Sequence, residues 1–253
     1  MSTWMDASVI WLMTPLSGAS THDIAPTTAW HARLMVVAWA VLVPCAVLVA
    51  RFFKVMPGQA WPHQLDNKTW WHGHRWGHAL AVLFMVLGLW VVNAPSAEGA
   101  MAWGHRVLGW GVCALAALQV LGGVLRGSKG GPSDQHLRGD HYDMSPWRCR
   151  FERLHKGLGW LAVLSAVPTI VMGLWLADAP RWMAVVLGAW WLTLAWAFAH
   201  WQRRGRCMDT YQAIWGPDPV HPGNRLPPIG WGIRRYSAST WPPQRPSHKP
   251  SIF

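Results

Sequence analysis

Four histidines stand at the start of long uncharged stretches, and each has a cation within two residues: His31-Ala32-Arg33, His74-Arg75, His105-Arg106 and His155-Lys156. A histidine just inside an apolar segment is costly, so it marks a functional site before anything else. Imidazole nitrogen ligates haem iron. Four histidines on four segments have the count and distribution for two haems with a histidine on each face. No Cys-x-x-Cys-His occurs, so covalent attachment is not indicated and the haems expected are b-type, two per chain.

The segments that must hold them are Leu34–Ala50, Ala79–Gly99 (broken only by Glu98), Val107–Leu125, Gly157–Ala177 and Trp182–His200. Each can cross about 30 Å of hydrocarbon as a helix. Of the 253 residues 52% are hydrophobic and only 13% charged, which leaves no room for a separate soluble domain beside five spans. The fold class expected is an all-α membrane protein with five transmembrane helices, four of them forming a haem-binding bundle.

The net charge of +11 and a pI near 10.4 match the footprint of a nucleic-acid binder. Their distribution argues against one. With the first span entering from outside, all 22 Lys and Arg except Arg33, Arg106 and Arg181 fall on one side. This is the asymmetry that sets the orientation of membrane proteins, and it puts the N-terminus outside and the C-terminus in the cytoplasm. His31 and His105 then lie near the outer surface, His74 and His155 near the cytoplasmic one. Same-depth histidines on alternate helices are the arrangement for two bis-histidine sites.

The cations beside them, Arg33, Arg75, Arg106 and Lys156, sit where haem propionates would emerge and can pair with those carboxylates. They equally suit the role of span-flanking anchors. His105-x-x-x-Gly109 and His155-x-x-x-Gly159 place a glycine one turn from the ligand on the same face, which clears space for a flat macrocycle. Ordinary close packing of membrane helices is the competing reason for such glycines. At the second span His72, His74 and His78 crowd together, with His74 favoured and His78 a competitor. His63, His136, His141, His221 and His248 read as solvated loop residues. They have no acid or thiol at zinc-ligand spacing. The cysteines suggest no disulfide framework, since Cys149 and Cys207 fall on the reducing side.

Residues 1–29 form a short outer segment whose apolar stretch, Val9–Leu16, is too short to span and reads as interfacial. Residues 30–201 are the core. Residues 202–253 are polar and Pro-dense, a composition expected to stay extended in the cytoplasm, with Trp215, Trp231 and Trp241 resting on the membrane surface.

The core resembles a known family. His31-Ala-Arg-Leu-Met-Val-Val-Ala-Trp, ending in Ala50-Arg51, is similar to the opening core helix of the cytochrome b-561 family, two-haem transmembrane reductases that include DOMON-linked forms. Trp71-His72-Gly73-His74-Arg75 resembles its second helix, His105-Arg-Val-Leu-Gly with Leu118-Gln119-Val120 and Arg126 its third, and Arg153-Leu-His155-Lys-Gly-Leu-Gly through Gly173-Leu174 its fourth. The resemblance spans about Trp30 to Trp201 and is specific as an ordered set of four motifs.

It implies iron ligation by His31, His74, His105 and His155, and electron transport from a cytoplasmic-side reductant to an outer-side acceptor. It also implies a reductant site using basic residues near the second and fourth ligands, for which Lys68, His72, Arg148, Arg150 and Arg153 stand in position. The activity class implied is a transmembrane oxidoreductase working as a haem electron carrier. The other reading is a haem-bearing anchor that exchanges electrons with quinol or a partner subunit. The partners expected are membrane lipid and a small-molecule reductant such as ascorbate, or quinol. A redox partner protein and a homodimer stay open, and nucleic acid is not among the partners. The compact core and the lack of targeting signals suggest a multi-pass protein of a bacterial inner membrane.

Overall fold

The computed structural model describes residues 2–20, 23–92, 98–132, 136 and 138–241. Among these the chain is helical, with two isolated β-bridges, Pro15 to Pro180 and Met208 to Arg234, and no strand. Five helical stretches are long and apolar enough to cross a membrane: Pro26–Phe52, Thr69–Val91, Ala100–Val124, Pro146–Leu176 and Arg181–Arg203. This makes the chain a multi-pass membrane protein. The helices extend the uncharged runs into their polar flanks, so that His31, His74, His105 and His155 sit inside them.

Burial along these helices is inverted relative to a water-soluble protein. Ala38, Ala40, Ala81, Ala102, Ala116, Ala162 and Ala166 are buried, while Leu83, Trp90, Trp110, Leu121, Leu164, Leu192 and Trp196 are each more than half exposed. Small residues let helix backbones approach closely where hydrocarbon supplies no hydrophobic drive, and the large apolar side chains face lipid. In water such surfaces would be an aggregation hazard.

The chain divides into two compact units. The first comprises Met1–Cys45, Trp76–Val120 and Leu158–Ala195. The short N-terminal segment is here a helix, α1 (Ser2–Met13). Its end is tied down at the turn before the last span: Ser17 donates to the Asp178 carboxylate through its backbone N–H (2.8 Å) and its hydroxyl (2.7 Å). The first span begins as α2 (Pro26–Val36), with Pro26 in the first turn, where its missing N–H is no loss. It widens to a π-helical stretch at Val37–Leu42, then resumes as α3 (Val43–Phe52). A π-turn breaks the i→i−4 ladder, and the Ala40 carbonyl in it accepts the Trp190 indole N–H at 2.7 Å. Ala40, Ile170 and Leu187 form the core of this unit.

The second unit comprises Ala46–Arg75, Leu121–Gly157 and Trp196–Phe253. It corrects the expectation of an extended C-terminal tail. Cys207, Met208, Tyr211, Ala213, Ile214 and Trp215 are buried, most of them on the short helix α9 (Thr210–Trp215). All of these but Cys207 pack in two clusters, Met208 and Ala213 with Val55 and Trp61, and Tyr211, Ile214 and Trp215 with Met144. Trp215, expected at the membrane surface, is thus a core residue.

Polar bonds carry much of this packing. Arg235 donates to the Asp209 carboxylate (2.7 Å) and to the carbonyls of Asn224 (2.9 Å), Gly223 (2.8 Å) and Leu226. The Tyr211 ring occupies the space that a side chain at residue 223 would need, so Gly223 permits the fold-back. Pro242, Pro243, Pro246, His248 and Pro250 lie outside the described residues.

Candidate functional site

The helices bring the four histidines together as two pairs. His31 of α2 and His105 of α5 (Ala100–Val124) have ring centres 6.3 Å apart and planes at 77°. His74 of α4 (Thr69–Val91) and His155 of α7 (Pro146–Leu176) have ring centres 6.1 Å apart and planes at 71°. Each pair lies within one unit, His31 and His105 in the first and His74 and His155 in the second.

These separations can be tested against metal binding. A metal–imidazole bond of about 2 Å on each side, with about 1 Å from each nitrogen to its ring centre, puts two trans imidazole rings about 6 Å apart. Both pairs meet that distance. Among the described residues there is no cluster of three or more His, Cys, Asp or Glu able to hold an ion. Two imidazoles without other protein ligands would suit only an ion that brings its remaining ligands with it.

The tautomers point the same way. His31 Nδ1 lies 2.9 Å from the Gly88 carbonyl, His105 Nδ1 3.0 Å from that of Thr169, and His74 Nδ1 3.3 Å from that of Ala46. A carbonyl only accepts, so each Nδ1 carries the proton and Nε2 keeps the lone pair that a metal requires. Such outer bonds orient ligating histidines generally. Helix ends explain one of them: Gly88 belongs to the last turn of α4, whose carbonyls lack intrahelical partners, and His31 supplies the donor.

Glycines fit around the rings. A Cβ at Gly173 would stand 3.0 Å from His105 Cε1, so a side chain here requires the His105 ring to give way. A Cβ at Gly73, beside His74, would come within 3.3 Å of Val49 Cγ1. At Gly109 and Gly159, a Cβ would meet protein only at ordinary contact distance, 3.9 Å from Thr169 and 3.7 Å from Gln119. Protein atoms therefore leave room above these two glycines. On the crowded start of α4 it is the His74 ring that faces His155; His78 is half-buried.

The four cations are not equivalent. Arg33 lies over the Trp30 ring (5.2 Å), and Arg75 and Arg106 are exposed. Lys156 is committed within the protein, donating to Glu152 Oε2 (2.8 Å) and to the Ile229 carbonyl (2.7 Å). Of the basic residues expected near a reductant, Lys68, His72 and Arg148 line one cavity of about 350 Å³ in the second unit. Arg150 and Arg153 are exposed and not part of its lining.

The sequence reading missed two features here. His141, expected to be solvated, is 2% exposed and stacked edge-on against Tyr211 and Trp215. Burial, then the Arg148 charge, pushes its pKa down to about 3, so the imidazole is neutral. Glu152 is also buried. It bridges Arg148 (3.3 Å) and Lys156 (2.8 Å), and its Oε1 lies 3.6 Å from His141 Nε2. The i, i+4 spacing of Arg148, Glu152 and Lys156 was the available signal.

Compared with protein-family models, curated proteins and solved structures, the chain matches none.

Proposed function

We propose that this protein carries electrons across a membrane from a cytoplasmic-side reductant to an outer-side acceptor, using two b-type haems held by His31/His105 and His74/His155. The observation that carries the reading is the pair of facing imidazoles in each unit, 6.3 and 6.1 Å apart, with Nδ1 anchored to a backbone carbonyl in three of the four. When bound, haem supplies a one-electron couple whose potential the protein sets through ligand type, burial and nearby charge.

The chain's own residues have defined tasks. The histidines present Nε2 from both sides, and the Gly88, Thr169 and Ala46 carbonyls hold their rings in place. Gly173 keeps the His105 ring unobstructed, and the low-dielectric spans exclude water. Arg33, Arg75 and Arg106 remain in position to meet propionates, whereas Lys156 already serves Glu152. Orientation follows the basic residues, with the N-terminus outside, and the resemblance to the cytochrome b-561 family supports the same assignment.

Proteoliposomes with trapped ferricyanide test the reading. Ascorbate or a water-soluble quinol added outside should bleach the trapped oxidant with wild-type protein, and His105→Ala or His155→Ala should each stop it. Bleaching no faster than in empty liposomes, with either donor, would contradict transmembrane transfer.

A further inference from the structure

The cavity in the second unit holds, besides Lys68, His72 and Arg148, the basic residues Arg126 and Lys129 and the buried His141, none of which was expected near a reductant. Its lining includes four cations, Lys68, Arg126, Lys129 and Arg148, against one carboxylate, Asp66. Lys68 immediately precedes one span (Thr69–Val91), Arg126 follows another by two residues (Ala100–Val124), and Arg148 lies two residues into a third (Pro146–Leu176). The cavity therefore draws its charge from residues at three span ends.

Both guanidiniums are preorganised by aromatic backing. Arg126 stacks over the Trp71 ring at 4.2 Å, and Arg148 over the Phe151 ring at 5.1 Å. Stacking occupies the face of a guanidinium and leaves its edge: the fork of Arg126, and on Arg148 the N–H groups that Glu152 and the Arg126 carbonyl do not take. Arg148 is further fixed by Glu152 and by a bond to the Arg126 carbonyl (3.4 Å). Like charges are crowded here: the pKa of Arg126 is lowered, by burial first and then by Arg148 and Arg75. Lys129 pairs with Asp66, which neutralises one cation and leaves the lining positive.

A second observation is independent of the cations. His141 lines the same cavity, is almost fully buried, and its Nε2 makes no hydrogen bond among the described residues, the nearest acid, Glu152 Oε1, standing off at 3.6 Å. Buried polar atoms are rarely left so unless something else satisfies them.

The floor is not part of the core shared with the resemblance. Thr210 and Ile214 of α9 contribute to the lining, so the folded C-terminal segment completes the cavity. At about 350 Å³ it is at the small end of ligand sites, enough for a compact head group.

We propose that this cavity is a binding site for a phosphate group, held by the Arg126 and Arg148 forks with Lys68 and Lys129. The excess of cations favours an anion of more than one charge over a monocarboxylate, and basic pockets at the cytoplasmic ends of spans are suited to phosphate head groups. An anionic phospholipid and a soluble phosphorylated molecule present the same recognition chemistry. This proposal does not depend on haem or on the direction of electron flow.

The full-length purified protein tests it. Inorganic phosphate is titrated calorimetrically in detergent, with acetate at equal ionic strength as the comparison. In parallel, nanodiscs of phosphatidylglycerol and of phosphatidylcholine are compared by lipid retained in native mass spectrometry. Saturable phosphate binding at one site per chain, at least tenfold tighter than acetate, supports a soluble source. Selective retention of phosphatidylglycerol, displaced by phosphate, supports the lipid source. In either case Arg126→Gln should weaken binding at least tenfold and the exposed Arg204→Gln should not. Lys68 is exposed, so Lys68→Gln gives the same readout should Arg126→Gln disturb folding through Trp71. The proposal is overturned if wild type binds neither phosphate nor phosphatidylglycerol, if acetate binds equally, or if Lys68→Gln and Arg204→Gln behave alike.

Discussion

The two histidine pairs have nearly the same internal geometry and very different surroundings. His31 and His105 bond to the Gly88 and Thr169 carbonyls, with Gly173 against one ring and an exposed arginine within two residues of each histidine. His74 and His155 are flanked by aromatic rings, Trp71 centred 6.3 Å from His74 and Phe151 5.2 Å from His155. Next to this second pair lie the buried Arg148 and Glu152 and the half-buried Lys156. One paired-histidine arrangement is thus used twice, and the charge and aromatic surroundings are varied around it. In an electron carrier, that is how two similar centres acquire different potentials.

Removing a ligand should break the comparison most completely. His105→Ala should lower haem from two per chain to one and leave the His74/His155 centre spectrally intact; His155→Ala should do the reverse. Pyridine haemochrome with low-temperature difference spectra reads both. Equal loss of both haems from either variant would mean that the pairs are not independent.

Gly173→Ala is a smaller disturbance aimed at one pair. The added Cβ must displace the His105 ring from its 3.0 Å approach. The low-spin signal of the His31/His105 centre should shift or broaden in electron paramagnetic resonance while the other keeps its line. Gly109→Ala, which meets protein only at 3.9 Å, sharpens the contrast. It should perturb the same centre only if a macrocycle occupies that space.

Glu152→Gln tests the charge difference. Removing a buried anion disfavours the oxidised, more positive form, so the midpoint potential of the His74/His155 centre should rise by roughly 60 mV, a tenfold change in a one-electron equilibrium. The His31/His105 potential should stay within error. Redox titration resolves the two, and equal shifts would remove Glu152 as a local determinant.

The smallest effect concerns stability. Lys54, in the second unit, is buried and donates to the Met208 carbonyl at 3.0 Å. Burial, then the Lys156 charge, pulls its pKa down from 10.5 to about 7. The unfolded chain therefore binds more protons than the folded one between these values, so stability should rise with pH from about 7 to 10.5. Lys54→Met should flatten that slope in thermal unfolding followed by circular dichroism, and an unchanged slope would assign it to other groups.

The first unit was far more legible in the sequence than the second. Its spans follow from hydropathy, and His31 and His105 follow from one residue type recurring at span starts. Helical spacing put His74 and His78 on one face of the second span, and in the structure the His74 ring centre lies 6.1 Å from that of His155. The second unit depends on contacts that composition does not encode. Residues 204–241 are polar and rich in proline, but Arg235 satisfies four groups at once and Tyr211 packs over Gly223. His141 looked like any loop histidine because its burial comes from Tyr211 and Trp215, about 70 residues later in the chain. Lys156 resembled the other three cations until its bonds to Glu152 and Ile229 set it apart.

The most direct measurement is a dithionite-reduced minus oxidised visible spectrum of the purified protein, with pyridine haemochrome giving haem per chain. Two low-spin b-type haems per chain are the expected result. One haem would mean that a histidine pair has been misassigned, and no haem in protein purified from a haem-replete host would contradict the electron-transfer account.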